Sequence, residues 1–182
     1  ALLNCHDAIN IQFTSGTTGN PKGATLTHHN VVNNARFIAQ AMAFSENDSL
    51  CIPVPLYHCF GMVLAVLACV SRGARMVFPG ESFDPLATLQ AVAAERCTAL
   101  HGVPTMFIAE LDHPQFASFD LSSLRNIGGG GAAMPQAVAQ RLIDEFGLTF
   151  AEGYGLTETA APTHSNPPER AKLQCLGIPI FG

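Results

Sequence analysis

The sequence predicts an α/β fold, with a largely parallel β-sheet flanked by helices. Short apolar runs that are typical of strands alternate with segments in which apolar residues recur at helical spacing. Hydrophobic residues make up 48% of the 182 residues and charged residues 13%, which suits a substantial core and not a disordered chain. Polar and glycine-rich stretches follow several predicted strands, and open α/β sheets bind ligands at that edge.

Each predicted element has its own signature in the sequence. The strands are short apolar runs between turn residues, at 8–13, 24–26, 49–54, 74–78, 98–103, 124–127 and 148–151. The helices have apolar residues at helical spacing, at 28–42, 60–70, 85–95, 104–112 and 135–146. Thr27 and Asp84 are the expected N-caps, and Gly147 is expected to end the last helix. Residues 60–70 are apolar all round, which predicts a helix buried on all sides, and the proline-rich residues 162–172 predict a loop.

Charge and cysteine content narrow the classes of protein that fit. The net charge is −5 with nine Lys and Arg and no basic run, which argues against a nucleic acid partner. The six cysteines form no Cys-x-x-Cys pair and no metal-ligand spacing with the histidines, which predicts reduced, mostly buried thiols in a cytoplasmic protein. The longest apolar run, residues 60–70, is too short for a membrane-spanning helix, which takes about 18 residues or more.

Residues 14–23 have the composition of a phosphate-binding loop. They follow the first predicted strand, whose apolar residues we expect to be buried or half-buried. Glycines let backbone N–H groups approach a phosphate chain, hydroxyl groups donate hydrogen bonds, and Lys22 adds positive charge. The glycine spacing, Pro21 and the lack of a hydroxyl after Lys22 exclude a Walker P-loop. We predict that ATP binds through its triphosphate to Thr14, Ser15, Gly16, Thr17, Thr18, Gly19 and Lys22.

These ten residues resemble the signature loop of the adenylate-forming superfamily, which comprises acyl-CoA synthetases, luciferases and the adenylation domains of peptide synthetases. Residues 154–158 resemble the second signature of that superfamily and lie about 135 residues after the lysine loop. Residues 130–135 are similar to its adenine-side loop, with Ala133 where proline is common. Residues 55–61, which contain His58, resemble the acyl-CoA synthetase version of a substrate-side motif.

The residue types in these motifs fit the chemistry that the resemblance implies. An aromatic ring at Tyr154 can stack on a nucleobase, the hydroxyl of Thr157 can bond an α-phosphate, and the carboxylate of Glu158 can bind a magnesium ion that bridges phosphates. Residues without large side chains leave a flat wall for the purine. The implied nucleotide-binding residues here are Gly130, Gly131, Ala132, Gly153, Tyr154, Gly155, Leu156 and Thr157, and the implied metal ligand is Glu158.

Two histidines lie at predicted strand ends. A histidine at position 58, between a strand end and a buried helix, can reach a carboxylate and help neutralise the charge that builds up where carboxylate meets phosphate. His101 has no matching motif around it; a position lining the acyl pocket stays open for it, but we expect a structural role.

The resemblance implies a carboxylic acid, expected to be a fatty acid, that attacks the α-phosphorus of ATP to give an acyl-adenylate and pyrophosphate. Positioning and charge stabilisation account for most of such catalysis, since no protein nucleophile is needed. Lys22, His58, Thr157 and Glu158 are the predicted catalytic residues, with Mg²⁺ and, in the parent enzyme, coenzyme A as co-substrate.

The resemblance covers nearly all of residues 1–182, which we expect to be a partial AMP-binding domain, part of the large N-terminal domain of an adenylate-forming enzyme. We find no ribose-binding aspartate segment, hinge or C-terminal domain in the chain, and it starts without methionine. We therefore expect an excised segment with little or no ligase activity of its own. Three interpretations stay open: a fatty acyl-CoA synthetase core, which the His58 motif favours, an amino-acid or aryl-acid adenylation domain, and a non-catalytic nucleotide-binding module.

Overall fold

The computed structural model describes residues 2–14 and 19–181, which form a two-stranded hairpin and a seven-stranded sheet with helices around it. The strands are β1 (Ala8–Thr14), β2 (Lys22–Thr27), β3 (Ser49–Cys51), β4 (Arg75–Val77), β5 (Ala99–Gly102), β6 (Asn126–Gly129), β7 (Ala151–Leu156), β8 (Ala161–Ser165) and β9 (Ile178–Pro179). The α-helices are α1 (His28–Ala41), α2 (Ala68–Arg72), α3 (Pro85–Glu95), α4 (Pro104–Leu111) and α5 (Gln136–Phe146). A π-helix at Phe60–Leu67 continues directly into α2.

The large sheet has the strand order β4-β3-β5-β6-β7-β8-β9. The first five strands in this order pair in parallel, whereas β8 and β9 run antiparallel to their neighbours. Parallel neighbours need a crossover, and helices between the strands provide it. The predicted α/β fold with a largely parallel sheet is therefore confirmed.

Helices cover both faces of this sheet because consecutive side chains of a strand point to opposite sides. Leu50 of β3 packs in an apolar cluster with α1, the π-helix and α2. Cys51, the next residue, packs in a second cluster with α3, α4 and α5. Ala99 and Leu100 of β5 divide between the two clusters in the same way.

Local signals place the helix ends where the sequence predicts them. The Thr27 side chain accepts a hydrogen bond from the Asn30 N–H at 3.2 Å and caps α1. The Asp84 carboxylate accepts from the Ala87 N–H at 2.7 Å and caps α3. Gly147 ends α5 with a φ of 66°, a conformation that costs glycine little.

The hairpin of β1 and β2 lies outside the large sheet, and the burial predicted for its apolar side chains is wrong. Ile9, Ile11 and Phe13 are 51%, 59% and 73% exposed. The polar side chains of the other face contact the rest of the protein; Gln12 Nε2 donates to the Tyr57 carbonyl at 3.0 Å. Because side chains alternate along a strand, docking the polar face leaves the apolar face outside.

Three further predictions need correction. Residues 60–70 are not buried on all sides, because the end of this helical stretch reaches the surface and Val70 is 62% exposed. Strand β7 begins at Ala151 instead of ending there. Residues 162–172 are only partly a loop, because β8 adds to the sheet edge that β7 provides.

The cysteines are mostly buried, as the sequence predicts. All six are free, and four of them are buried, namely Cys51, Cys59, Cys69 and Cys97. Within the described residues, no helix is both long and apolar enough to cross a membrane.

Candidate functional site

A cleft of about 530 Å³ lies where the hairpin, the start of the π-helix and the ends of β6 and β7 meet. Its lining combines glycines, hydroxyl groups, one lysine, one histidine and one carboxylate. The lining residues are Thr14, Lys22, His58, Cys59, Phe60, Leu64, Gly129, Gly130, Gly131, Gly153, Tyr154, Gly155, Leu156, Thr157, Glu158, Ala161 and Pro162. Most of the residues singled out in the sequence are therefore brought together in one place.

The hairpin brings the lysine to the cleft. Thr14 is the last residue of β1 and Lys22 the first of β2, and the two are paired across the hairpin. The predicted phosphate loop thus begins and ends at the cleft wall. Gly19 is exposed, has a φ of 87° and does not line the cleft. The predicted residues Ser15, Gly16, Thr17 and Thr18 lie outside the described residues.

Two opposite charges face this cleft. Lys22 and Glu158 are both exposed, and neither takes part in an ion pair within the described residues. A cation and a carboxylate in one cleft, neither of them in an ion pair with another described residue, are available to a ligand that carries both negative charge and a metal ion.

The residues fit a magnesium ion that is held mainly by a nucleotide. Across residues 2–14 and 19–181, no group of three His, Cys, Asp or Glu side chains could hold a metal ion. Magnesium bound with phosphates needs only one or two carboxylates from the protein, and Glu158 supplies one.

The glycine run forms a wall without side chains. A Cβ atom on Gly129 would overlap the carbonyl oxygen of Gly102 on β5, and one on Gly130 would lie 2.6 Å from the carbonyl oxygen of Gly153 on β7. Neither position has room for a larger residue, so the wall stays flat where an adenine ring is predicted to lie. Ala132, a third predicted residue, is exposed and does not line the cleft.

The turn after β7 positions the hydroxyl and the carboxylate. The Leu156 N–H donates to Thr159 Oγ1 at 3.0 Å, and that hydroxyl donates to the Ala161 carbonyl at 2.8 Å. This network holds the short 3₁₀ turn that carries Thr157 and Glu158. On the preceding strand, Tyr154 is 44% exposed at the cleft, so one face of its ring is accessible to a ligand.

His58 has a defined tautomer in its neutral form. Its Nδ1 accepts a hydrogen bond from the Phe60 N–H at 3.0 Å. The proton of the neutral ring is therefore on Nε2, which is free to donate into the cleft. An Nε2–H donor suits a carboxylate or a phosphate oxygen.

Sequence reasoning did not identify Cys59, Leu64, Gly129, Ala161 and Pro162 as lining residues. Cys59 is 3% exposed, and its Sγ lies 3.8 Å from Nδ1 of His58. Burial raises the pKa of this thiol, although a hydrogen bond with Thr157 opposes the shift. Phe60 and Leu64 are four residues apart, a spacing that puts them on one face of a helix beside His58 and that was readable in the sequence.

His101 does not line the cleft. It is 1% exposed and lies behind Phe60, with 5.8 Å between the ring centroids. Strand β5, which carries His101, contributes to the cleft only indirectly. The carbonyl oxygen of its last residue, Gly102, is the atom against which Gly129 packs.

A sequence model described as AMP-binding enzyme matches residues 2–182. The chain belongs to the AMP-binding enzyme family. Family membership confirms the predicted relationship to adenylate-forming enzymes. The roles of the individual cleft residues stay predictions.

Relatives and solved structures agree with this assignment. The chain is 54% identical over 165 residues to the acyl-CoA ligase SID4 of Ajellomyces capsulatus, which covers 90% of the chain and 28% of the relative. It is 44% identical over 169 residues to the mitochondrial medium-chain acyl-CoA ligase ACSF2 of Danio rerio, covering 91% of the chain and 28% of the relative. The crystal structure of the anthranilate CoA ligase AuaEII in complex with anthranoyl-AMP superposes with a TM-score of 0.92 at 27% identity, over 100% of the chain and 36% of that structure. The chain thus spans 28% of the length of these two relatives.

Proposed function

We propose that the protein to which this chain belongs is an acyl-CoA ligase. It activates a fatty acid with ATP and then transfers the acyl group to coenzyme A. The observation that carries the proposal is the cleft itself, because Lys22, His58, Thr157 and Glu158 come from distant parts of the chain and line one cavity. The two relatives described above are both named acyl-CoA ligases, which supports the thioester product.

In the first half-reaction, a carboxylate oxygen of the acid attacks the α-phosphorus of ATP. The bond from that phosphorus to the bridging oxygen breaks, and pyrophosphate leaves with the electron pair. In the second half-reaction, the thiol of coenzyme A attacks the acyl carbonyl, AMP leaves, and the thiol proton passes to solvent. Neither step forms a covalent bond with the protein.

The residues of the cleft act by holding charges in place. Lys22 stabilises the leaving pyrophosphate, and the N–H at Nε2 of His58 donates to the carboxylate as it approaches the phosphate. Thr157 bonds an oxygen of the α-phosphate, and Glu158 holds the magnesium ion. When bound, that ion neutralises phosphate charge. Tyr154 and the wall of Gly129, Gly130 and Gly131 orient the adenine ring.

Pyrophosphate exchange by the parent protein tests this proposal. The assay uses straight-chain fatty acids of increasing length together with an aryl acid and an amino acid. We expect ATP–pyrophosphate exchange with fatty acids, and a Lys22→Ala variant should lose at least a hundredfold in kcat/KM because the leaving group loses its counter-charge. Lys172→Ala is the matched control, since Lys172 is exposed and away from the cleft.

Each alternative has its own signature in this assay. Exchange with only the aryl acid or the amino acid would refute the fatty-acid substrate. Equal affinity of wild type and Lys22→Ala for ATP would show that the lysine does not bind phosphate. No exchange with any acid, together with intact ATP binding, would favour a non-catalytic nucleotide-binding module.

Two further parts of the proposal concern the chain by itself and its location. We propose that residues 1–182 alone have little or no ligase activity, which the same exchange assay on the 182-residue chain tests. We also propose a cytoplasmic location. One relative is named as mitochondrial, so recovery of the protein in a mitochondrial fraction would overturn this part.

A further inference from the structure

His101 is a buried polar residue that the proposed mechanism does not use. It lies near the end of β5 and is 1% exposed. Neither of its ring nitrogens has a hydrogen-bond partner among the described residues. Burial lowers the pKa of the ring to about 3, so the imidazole is neutral and presents one N–H donor and one nitrogen acceptor. A buried group of this kind without partners disfavours the folded state and calls for an explanation.

The surroundings of His101 are aromatic and apolar. Its ring stacks on Phe44, with 6.1 Å between centroids and 20° between planes. On the other side it meets Phe60, at 5.8 Å and 40°. Both phenylalanines pack in the apolar cluster of α1, the π-helix and α2. No charged neighbour contributes to the pKa shift of His101, which burial alone causes.

Phe60 separates this imidazole from the cleft. Its half-buried ring lines the cleft and also contacts His101. The backbone N–H of Phe60 is held by Nδ1 of His58 at 3.0 Å. The Phe60 side chain is therefore the group that would have to turn aside for a ligand in the cleft to reach His101. Phe60 is two residues from His58, at which the proposed mechanism places the carboxylate of the acid.

We propose that His101 is a specificity-determining residue, which binds a hydroxyl group on the chain of the acid after Phe60 turns aside. This inference rests on the proposed function and narrows its substrate class to hydroxylated fatty acids. A hydroxyl group can donate to the unprotonated nitrogen of a neutral imidazole or accept from the protonated one, so it suits either of the two ring nitrogens. A second carboxylate or an ammonium group would be buried here without a counter-charge. An unsubstituted chain would leave both nitrogens unpaired.

The test measures pyrophosphate exchange by the parent protein with hexanoate and with its 3-, 4-, 5- and 6-hydroxy derivatives. We expect at least one hydroxy acid to exceed hexanoate in kcat/KM by about tenfold or more, since its hydroxyl pairs with one of the buried ring nitrogens. In His101→Leu this advantage over hexanoate should fall to about one, mainly through a higher KM for the hydroxy acid. His101→Asn retains a donor and an acceptor and should keep part of the preference. His113→Leu, a histidine variant away from the cleft, is the matched control.

The outcomes separate the two proposals. If hexanoate supports exchange but no hydroxy acid is preferred, or if His101→Leu keeps the wild-type preference, the role of His101 is refuted and the ligase activity stands. If no acid of either kind supports exchange, the proposed function fails and the inference fails with it. Thermal unfolding supplies a second readout. Removing two unpaired nitrogens should leave the Tm of His101→Leu equal or higher, whereas a large drop would indicate a packing role and contradict the proposal. If His101→Leu does not fold, the same expectations apply to His101→Phe.

Discussion

Glu110 is a carboxylic acid inside the core formed by α3, α4 and α5. It is 4% exposed, and no ion pair with it occurs among the described residues. It borders a small apolar cavity of about 10 Å³, together with Leu89, Val92 and Leu100. Burial raises the pKa of Glu110 from 4.5 to about 8. The carboxyl group is therefore neutral in the folded protein at neutral pH.

Linkage converts this shift into a dependence of stability on pH. Between about pH 4.5 and pH 8 the unfolded chain releases the proton of Glu110 while the folded protein keeps it. The free energy of unfolding therefore falls as pH rises through this window and levels off above it. At about 1.4 kcal/mol per pKa unit, the shift from 4.5 to about 8 lowers the free energy of unfolding by roughly 5 kcal/mol in total, of which roughly 4 kcal/mol is lost between pH 4.5 and pH 8.

The perturbation is Glu110→Gln, which keeps the shape and removes the titration. We expect the variant to match wild type near pH 5 and to be more stable by roughly 3–4 kcal/mol at pH 8. Urea unfolding of the 182-residue protein, followed by circular dichroism at several pH values, measures this difference. Glu145→Gln on the exposed face of α5 is the matched control. A difference between Glu110→Gln and wild type that stays constant from pH 5 to pH 8 would refute the reasoning.

Three other predictions concern Asp48, which lies just before β3, and the cleft residues Gly129 and Glu158. Asp48 is 3% exposed and accepts hydrogen bonds from Arg125, Thr98 and Ser45; burial opposes its ionisation, but these bonds outweigh it and hold its pKa below 3.8. Asp48→Asn should therefore lower the free energy of unfolding, measured with urea, by about 2 kcal/mol at pH 7. This difference from wild type should shrink as the pH falls below 3.8, because the wild-type carboxylate then becomes protonated. A difference that is the same at pH 7 and below pH 3.8 would contradict this. Gly129→Ala should lower the free energy of unfolding by about 3 kcal/mol, because there is no space for the added methyl group. Gly80→Ala is the control and should have little effect, because a methyl group fits at that position. Equal Tm values for the two variants would exclude the steric argument. Glu158→Gln in the parent protein should weaken magnesium-dependent ATP binding about tenfold in calorimetric titration and leave binding without magnesium unchanged, and a loss that is equal in both conditions would count against a metal-binding role.

Much of the fold was predictable because it depends on local rules. The caps at Thr27 and Asp84 and the end of α5 at Gly147 follow from side-chain hydrogen bonds and backbone conformations that involve only a few neighbouring residues. The alternation of strands and helices predicts a parallel sheet, because parallel neighbours need crossovers. Errors arose where pairing between distant segments decides the outcome, as at β8, whose polar sequence becomes a strand beside β7.

The same distinction between local and long-range effects applies to the candidate site. The motifs around Lys22, His58 and Glu158 are continuous in sequence, so their residue types could be read directly. The lining by Cys59 and Pro162 could not, because it depends on how the π-helix and β8 approach the cleft. The position of Ala132 could not be read from the sequence either. It does not line the cleft, although it directly follows Gly130 and Gly131, which do.

The sequence by itself determined the fold class, the family and the residue types available for nucleotide chemistry, since these depend on periodicity and on short continuous motifs. Only the tertiary structure decided which face of β1 is buried. An apolar strand predicts burial of its apolar side, yet the hydrogen bond from Gln12 to Tyr57 docks the polar side. The structure also decided that His101 lies behind Phe60 without a hydrogen-bond partner among the described residues. Side-chain burial and hydrogen-bond partners depend on packing between distant segments, which a local sequence pattern does not specify.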